Sequence, residues 1–493
     1  MQRDFAALLE ACRRGGVEVR SDSRVVGQGD IFVAVPGVNE DGARFIPAAV
    51  EAGAAVVVCR PGGPEDAALQ ASVRAEGCRV VYHEDPREAL WRLAEARWRT
   101  GASRVKILGV TGTNGKTTST YLLERLFTDA GHKVGVLGTV SYRWPGHSEA
   151  APLTTPDPLR VHSMLAQMEA AGVDVAVMEV SSHAIDQQRV CGVPFAGAAF
   201  TNLTQDHLDF HKDMENYFKT KARLFLELPR AEKVMAVNAD DPWGRRLLEL
   251  CPRALSFGLQ QGPPRRRHLW GELLSAGTEG CRLRMHLEGR TWELRSPLVG
   301  AFNASNLLTV QALALETGLD PGQFKALESF TGVCGRLERV ENSQGLNVFV
   351  DYAHTPDALV NVLKALRGAG FKRIITVFGC GGNRDATKRP KMAKAATKYA
   401  DFLVITSDNP RDEEPEAIVA DILTGLEGSD VPYEVVIDRK DAILRSMQMA
   451  QPGDVIVLAG KGHEDYQVLK NGVHIHMDER EIVRDCLPLV PER

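Results

Sequence analysis

The sequence predicts an α/β protein of three domains, and three observations carry that reading. Short apolar, β-rich runs alternate with helix-period segments, which is the pattern of parallel sheets with crossover helices. One of those runs ends directly in a glycine-rich turn that opens a helix. The length of 493 residues, at roughly 100–200 per domain, corresponds to about three domains, and 44% hydrophobic residues is ample for their cores. No low-complexity segment or fixed-period repeat interrupts the pattern.

In chain order, the first block carries the buried-type run Asp30-Ile-Phe-Val-Ala-Val35, a second run at 54–58, and a helical stretch at 88–100, with the boundary at Gly101-Ala-Ser103. The central block has strands at 105–110, 173–178, 196–200 and 233–237, and a less regular stretch, 260–295, that reads as antiparallel strands at its edge. A third block begins near Gly335-Arg336, with strands at 347–350, 373–378, 401–405 and 454–458. The predicted domains are therefore 1–100, 101–334 (a P-loop-type domain with a mostly parallel sheet) and 335–493 (Rossmann-like).

Charge and cysteines exclude several classes. A net charge of −5 argues against nucleic-acid binding, and the one basic cluster, Arg265-Arg266-Arg267, reads as a solvated loop. Nine scattered cysteines without a C-x-x-C pair read as reduced thiols of a cytoplasmic protein. Polar residues break the N-terminus before any signal-peptide core, and no run reaches the roughly eighteen apolar residues of a membrane span.

The chemistry starts at Gly109-Val-Thr-Gly-Thr-Asn-Gly-Lys-Thr-Thr-Ser-Thr120. Gly112 and Gly115 let the backbone of Thr113 and Asn114 turn its N–H groups inward, and the helix N-terminus at Thr117 and Thr118 adds partial positive charge. Lys116 reaches the outer phosphates of a nucleotide and Thr117 can ligate Mg²⁺. The spacing departs from G-x-x-x-x-G-K-[ST], because Val110 stands where the first glycine would be. Six polar clusters follow the other strands: Glu179-Val-Ser-Ser-His183, the segment 201–211, Asp351-Tyr-Ala-His354, Gly379-Cys-Gly-Gly-Asn-Arg-Asp385, Ser407-Asp-Asn-Pro-Arg411 and Ala459-Gly-Lys-Gly-His-Glu464. Ligands of open α/β sheets bind beyond the carboxyl ends of strands, where these clusters fall.

Taken in order with the phosphate loop, these residues resemble the ATP-dependent muramyl ligases, three-domain enzymes that add amino acids to UDP-N-acetylmuramic acid. Asp22-Ser23-Arg24, Thr154-Thr155-Pro156, Asp408-Asn-Pro-Arg411 and Gly460-Lys-Gly-His-Glu464 are together most similar to the members that add meso-diaminopimelate to UDP-N-acetylmuramoyl-L-alanyl-D-glutamate. The resemblance implies ATP as co-substrate, an acyl-phosphate intermediate, and a monomer that works on small molecules without nucleic acid or membrane. Lysine-adding members and folylpolyglutamate synthetases are the alternatives.

The site residues follow from the resemblance. It implies that Thr117 and Glu179 hold one Mg²⁺, that His207 serves a second metal, and that Lys221 is an N6-carboxylysine supplying that metal with an anionic oxygen. Read by itself, Lys221 is a solvated helix lysine with Lys219 as its neighbour, and His211 is structural. Ser21, Ser23, Val38, Asn39 and Glu40 look like the uridine-diphosphate pocket, which makes the first domain UDP-binding. Leu153, Thr154, Thr155, Ser181, Gln187 and Arg189 would bind the muramoyl dipeptide; Leu153 and Ala184 depart from the family pattern. Asn303, Asn306, Arg336, Asp351 and His354 would face the nucleotide, although Asn303 and Asn306 also read as helix caps. Arg384, Asp408, Asn409, Pro410, Arg411, Gly460 and Glu464 match the amino-acid pocket. Diaminopimelate carries one more carboxylate than lysine, which Arg411 can grip bidentately, and Glu464 offers an anion to the distal ammonium.

Overall fold

A computed structural model describes residues 2–37, 40–62, 73, 77–227, 229–262 and 266–491. The chain divides into two compact units, Met1–Ser256 with Ala312–Leu319, and Phe257–Gln311 with Asp320–Arg493.

The first unit opens with a parallel sheet in the order β1-β2-β3-β4, formed by Val19–Arg20, Ile31–Val33, Val56–Cys59 and Arg79–Tyr82. Its central strand reads as a continuous apolar run because both faces are covered: Ile31 and Val33 pack into one core and Phe32 into another. The next strands are β5 (Lys106–Thr111), β6 (Val134–Leu137), β7 (Ser141–Trp144), β8 (His147–Ala150), β9 (Val175–Glu179), β10 (Phe195–Phe200), β11 (Pro229–Asn238) and β12 (Leu255–Gly258). The parallel core runs β11-β10-β5-β9-β6, and β6-β7-β8 finishes it as an antiparallel edge. Crossover helices start where an Asp-Pro pair supplies both a cap and a preset φ. Asp85, Asp157 and Asp241 each accept a backbone N–H of the first turn while proline occupies its start.

In the second unit, β13 (His268–Gly277), β14 (Gly280–Leu287) and β15 (Arg290–Ser296) form an antiparallel meander. This is the irregular stretch expected at 260–295; of its basic cluster, Arg265 lies outside the described residues and Arg267 pairs with Glu288 in solvent. The final sheet contains β16 (Glu338–Arg339), β17 (Asn347–Asp351), β18 (Ile374–Phe378), β19 (Phe402–Ile405), β20 (Tyr433–Val435) and β21 (Val455–Ala459), in the order β16-β17-β21-β18-β19-β20. Alternation decides its packing. Ile374, Phe378, Leu403, Ile405, Val455 and Val457 fill one core, and Ile375, Val377, Val404, Ile456 and Leu458 fill the other. Each such side chain contributes about 1.5–3 kcal/mol by burial. A hairpin of β22 (Tyr466–Val468) and β23 (His474–His476) follows β21.

All nine cysteines are free. Among the described residues no helix is long and apolar enough to cross a membrane.

Candidate functional site

The phosphate loop sits at the carboxyl end of β5, between neighbours β10 and β9. Gly112 has φ 151°, and a Cβ there would stand 1.9 Å from Thr201 Oγ1, so the closeness of the segment after β10 demands glycine. That segment braces the loop. Asn202 accepts the N–H of Thr113 on its carbonyl and that of Asn114 on its side chain, both at 2.9 Å, and Thr201 Oγ1 donates to Asn114 O at 2.6 Å. Gly115, at φ 85°, begins the helix Lys116–Asp129. Lys116 Nζ folds over the loop, donating to Gly112 O at 3.0 Å and Thr113 O at 2.9 Å.

Glu179 ends β9 and is completely buried. Thr117 Oγ1 donates to its Oε2 at 3.0 Å, and Thr139 binds both carboxylate oxygens, through N–H to Oε1 at 2.8 Å and through Oγ1 to Oε2 at 3.0 Å. A hydroxyl and a carboxylate are thus held side by side at the loop, an all-oxygen set of the kind Mg²⁺ prefers. Thr139 lies outside every motif in the sequence, and only its position just past β6, next to β9, brings it here.

Lys221 lies on the helix Met214–Leu226 and is 1% exposed, which overturns its reading as a solvated lysine; Lys219, two residues away, is the solvated one, its side chain 65% exposed. The helix is amphipathic, and Tyr217, Lys221, Leu224 and Phe225 share its inner side. Nζ of Lys221 donates to Gly112 O at 2.9 Å, and burial, with Lys116 nearby, drives its ammonium well below the usual lysine range. His207 stands at φ 52° beside Asp206, with Nε2 3.4 Å from the carboxylate and its ring edge-on to that of His183. His211 is buried and bonded to Ser182 Oγ, the structural role expected of it.

The dipeptide candidates gather just past β9. Thr155 Oγ1 donates to Glu179 O and accepts the N–H of Ser181, while Arg189 donates from Nη1 to Thr155 O at 3.0 Å and from Nη2 to Gln187 Oε1 at 2.7 Å. Thr154 is 3.2 Å from Thr139 Oγ1, and Leu153 is 45% exposed. Between Gln187 and Arg189, Gln188 adopts φ 57° and reaches back to the first hundred residues: Trp91 Nε1 donates to its Oε1 at 3.2 Å, and its Nε2 donates to Asp85 Oδ2 at 2.7 Å. Ser21 and Glu40 are exposed on loops, Ser23 opens the short 3-10 helix Ser23–Val25, and Val38 and Asn39 fall outside the described residues.

In the second unit, Asn303 and Asn306 lie in the first turns of the helix Ala301–Glu316; Asn303 Nδ2 donates to Val299 O, and Asn306 Nδ2 to Asn303 Oδ1. Asp351, at the end of β17, accepts the N–H groups of Leu337 and Ala353, and burial raises its carboxyl. Arg336 lies over the ring of Tyr352, and burial lowers the imidazole of His354. The loops after β18, β19 and β21 come together. Arg411, at φ 53°, donates from Nη1 to Gly382 O at 2.9 Å and Asn409 O at 3.4 Å. A Cβ on Gly460 would lie 2.7 Å from Asp408 Oδ2, and Asn409 Nδ2 donates to Glu464 Oε2 at 3.0 Å. Arg384 stays exposed. Beneath them Arg439 was not singled out in the sequence, being remote from each motif, yet it ties the loops: its guanidinium donates to Ser407 O, Ala459 O and the buried carboxylate of Glu479.

Comparison with known proteins finds relatives over nearly the whole chain. Residues 17–98 match the Mur ligase family catalytic domain, residues 110–314 the Mur ligase middle domain, and residues 335–462 the Mur ligase glutamate ligase domain. Over 446 residues the chain is 52% identical to UDP-N-acetylmuramoyl-L-alanyl-D-glutamate--2,6-diaminopimelate ligase of Lawsonia intracellularis, covering 90% of each chain. It is 45% identical to the protein of that name from Gloeobacter violaceus, covering 95% of this chain and 93% of that one. A solved UDP-N-acetylmuramoyl-L-alanyl-D-glutamate--2,6-diaminopimelate ligase superposes with a TM-score of 0.66 at 31% identity, over 96% of this chain and 94% of that one.

Proposed function

The chain belongs to the Mur ligase family, and from that premise we propose that it is the ATP-dependent ligase joining meso-diaminopimelate to UDP-N-acetylmuramoyl-L-alanyl-D-glutamate in peptidoglycan precursor synthesis. One observation carries the reading: the phosphate loop, the Thr117–Glu179 pair and the Thr155–Ser181–Arg189 cluster occupy adjoining strand ends of one sheet. ATP and the acyl acceptor of its phosphate have to lie that close. We assign residues 1–100 to the UDP end, 101–334 to ATP, and 335–493 to the amino acid.

A carboxylate and a triphosphate repel, so transfer of the γ-phosphoryl group needs cations between them. Lys116 and the amides at the start of the helix Lys116–Asp129 would hold the outer phosphates, aided by the positive end of that helix, while the N–H groups of Thr113 and Asn114, expected from the sequence to turn toward a phosphate, are taken up by Asn202. Arg189 draws an anionic group of the muramoyl dipeptide toward them. A carboxylate oxygen of the dipeptide attacks the γ-phosphorus and ADP leaves. The amine of diaminopimelate, oriented by Asp408, Asn409, Arg411 and Glu464, then attacks the acyl carbon. Phosphate leaves with its oxygen, the amine loses a proton, and an amide remains.

Thr117 and Glu179 would hold Mg²⁺, which supplies positive charge on the nucleotide oxygens; His207 and a carbamylated Lys221 would hold a second ion. Two neighbouring lysines, 116 and 221, donate to one carbonyl, and conversion of Lys221 to an anion would set a negative group beside the Lys116 ammonium. We place the enzyme in the cytoplasm as a monomer. The test is to incubate it with ATP, Mg²⁺ and UDP-muramoyl dipeptide, to offer diaminopimelate and lysine in separate reactions, and to weigh the products. A mass gain of diaminopimelate less water, with ADP released, is the expected result; a product formed only with lysine, or none with either, overturns the reading.

A further inference from the structure

Lys461 is completely buried in the loop after β21, and no role above uses it. Its Nζ donates to Glu464 Oε2 and to Asn409 Oδ1, each at 2.8 Å, and lies 5.3 Å from the centroid of the Tyr466 ring. Asn409 closes the triangle: its Nδ2 donates to the same Glu464 Oε2 at 3.0 Å, and its Oδ1 also accepts the N–H of Val468 at 2.9 Å. Both lone pairs of Asn409 Oδ1 are therefore engaged, and Glu464 Oε2 takes two donors. Oε1 is left as the Glu464 oxygen to meet a ligand, on a side chain that is 16% exposed.

We propose that Lys461 is a positioning and charge-balancing residue that sets this pocket's preference for an amino-acid end carrying both ammonium and carboxylate over one carrying ammonium alone. The inference rests on the reading that Glu464 and Arg411 face the far end of diaminopimelate. Enclosed as it is, Lys461 reaches no substrate atom and acts through Glu464 and Asn409. The bookkeeping of charge gives the direction. Away from the exposed Arg384 at the rim, the inner charges are Arg411 and Lys461 as cations, Asp408 and Glu464 as anions, and Arg439 and Glu479 paired with each other at 2.8 Å, so this inner group sums to zero. A zwitterionic end enters such a pocket without leaving an uncompensated charge. With Lys461 neutral, the pocket gains a net negative charge, which favours a bare ammonium and disfavours an added carboxylate.

The test is steady-state kinetics of the full-length enzyme and its Lys461→Met variant, with diaminopimelate and L-lysine in separate assays at saturating ATP and UDP-muramoyl dipeptide. The expected result is a fall in kcat/KM for diaminopimelate of about thirtyfold or more, the effect of truncating one partner of a buried charge pair. The KM for ATP stays unchanged. Lysine falls by much less, so the ratio of the two amino acids drops by about tenfold or more. An unchanged ratio, with both falling equally or neither falling, overturns the proposal, because a purely structural defect does not distinguish the two ends. Lys461→Gln keeps a donor without the charge, and its ratio decides the matter should the methionine variant not fold. Glu464→Gln separates the two layers of the argument. If it leaves the KM for diaminopimelate unchanged, the reading of the pocket fails and this inference with it; if it raises that KM while the Lys461 variants keep the ratio, only the role of Lys461 fails.

Discussion

Lys116 and Lys221, 105 positions apart in sequence, donate to the same oxygen, the carbonyl of Gly112, at 3.0 and 2.9 Å. The phosphate loop is thereby fastened to the inner side of the helix Met214–Leu226. If Lys221 carries an N-carboxy group that serves a metal, Lys221→Ala is expected to be nearly inactive and to regain part of its turnover with added formate or acetate, which offer the missing oxygens. Full activity of the variant, or no response to either acid, would remove Lys221 from that role.

Lys116 Nζ donates to the carbonyls of Gly112 and Thr113, which places its ammonium over the turn where a nucleotide phosphate would sit. Lys116→Ala is expected to lower kcat by about 10²–10³, the effect of losing one preorganised donor to developing charge. Release of ADP measured at saturating substrates checks this, and near-normal turnover would contradict the phosphate-clamp role.

Arg411 uses Nη1 for both of its described side-chain bonds, to the carbonyls of Gly382 and Asn409. These bonds orient the guanidinium within the pocket. Arg411→Ala is expected to cost about 2–5 kcal/mol of transition-state binding for diaminopimelate. The preference for diaminopimelate over lysine should drop at least about tenfold, with the KM for ATP near its parent value. Equal weakening of both amino acids would mean that Arg411 only shapes its loop.

His162 is fully buried, and burial lowers its imidazole from 6.5 to about 4. Its Nε2 faces the carbonyl of Cys191, which can only accept, so the ring is the neutral tautomer with a proton on Nε2. The unfolded chain binds the proton more readily, so the stability this site contributes is complete above about pH 6.5 and is lost as the pH falls toward 4, by about 3 kcal/mol in all. Urea unfolding followed from pH 7.5 to 4.5 should show that slope, and His162→Gln should flatten it. An unaltered slope in the variant would assign the acid sensitivity to other groups.

Much of the fold was legible because burial on both faces writes itself as uninterrupted apolar runs, as in Ile374–Phe378 and Val455–Ala459. The site was legible where a glycine turn or a polar cluster directly follows such a run, which is how Glu179, Asp351 and Asp408 were found. Strands with one wet face were not: β7, with Ser141 and Arg143 alternating with Tyr142 and Trp144, and the exposed hairpin of His474–His476 carry no comparable signal. Nor were groups that matter through distant contacts. Thr139 becomes a partner of Glu179 only when β6 pairs with β9, and Arg439 joins two loops it precedes or follows by some twenty to thirty residues; the spacing to Leu224 and Phe225 favours Lys221 over Lys219 as the inward lysine, but its bond to Gly112 O is a contact across 109 positions.

The side chain of Gln188 ties the helix Pro86–Trp98 to the segment after β9, beside the packing of Leu159 against the first core and the contact of Thr100 with His162. Anyone grafting a foreign nucleotide-sugar module onto this ligase would cut the peptide at 100–101 and still face a weld made by Asp85 and Trp91. A donor module without an acceptor and an indole at those places would leave Gln188, held at φ 57° between Gln187 and Arg189, with unmatched polar atoms. Exchangeability of the front end thus depends on Asp85, the cap of the helix Pro86–Trp98, and on Trp91 within it as well as on the linker, and a chimera carrying both should keep its affinity for the muramoyl dipeptide where one lacking them loses it.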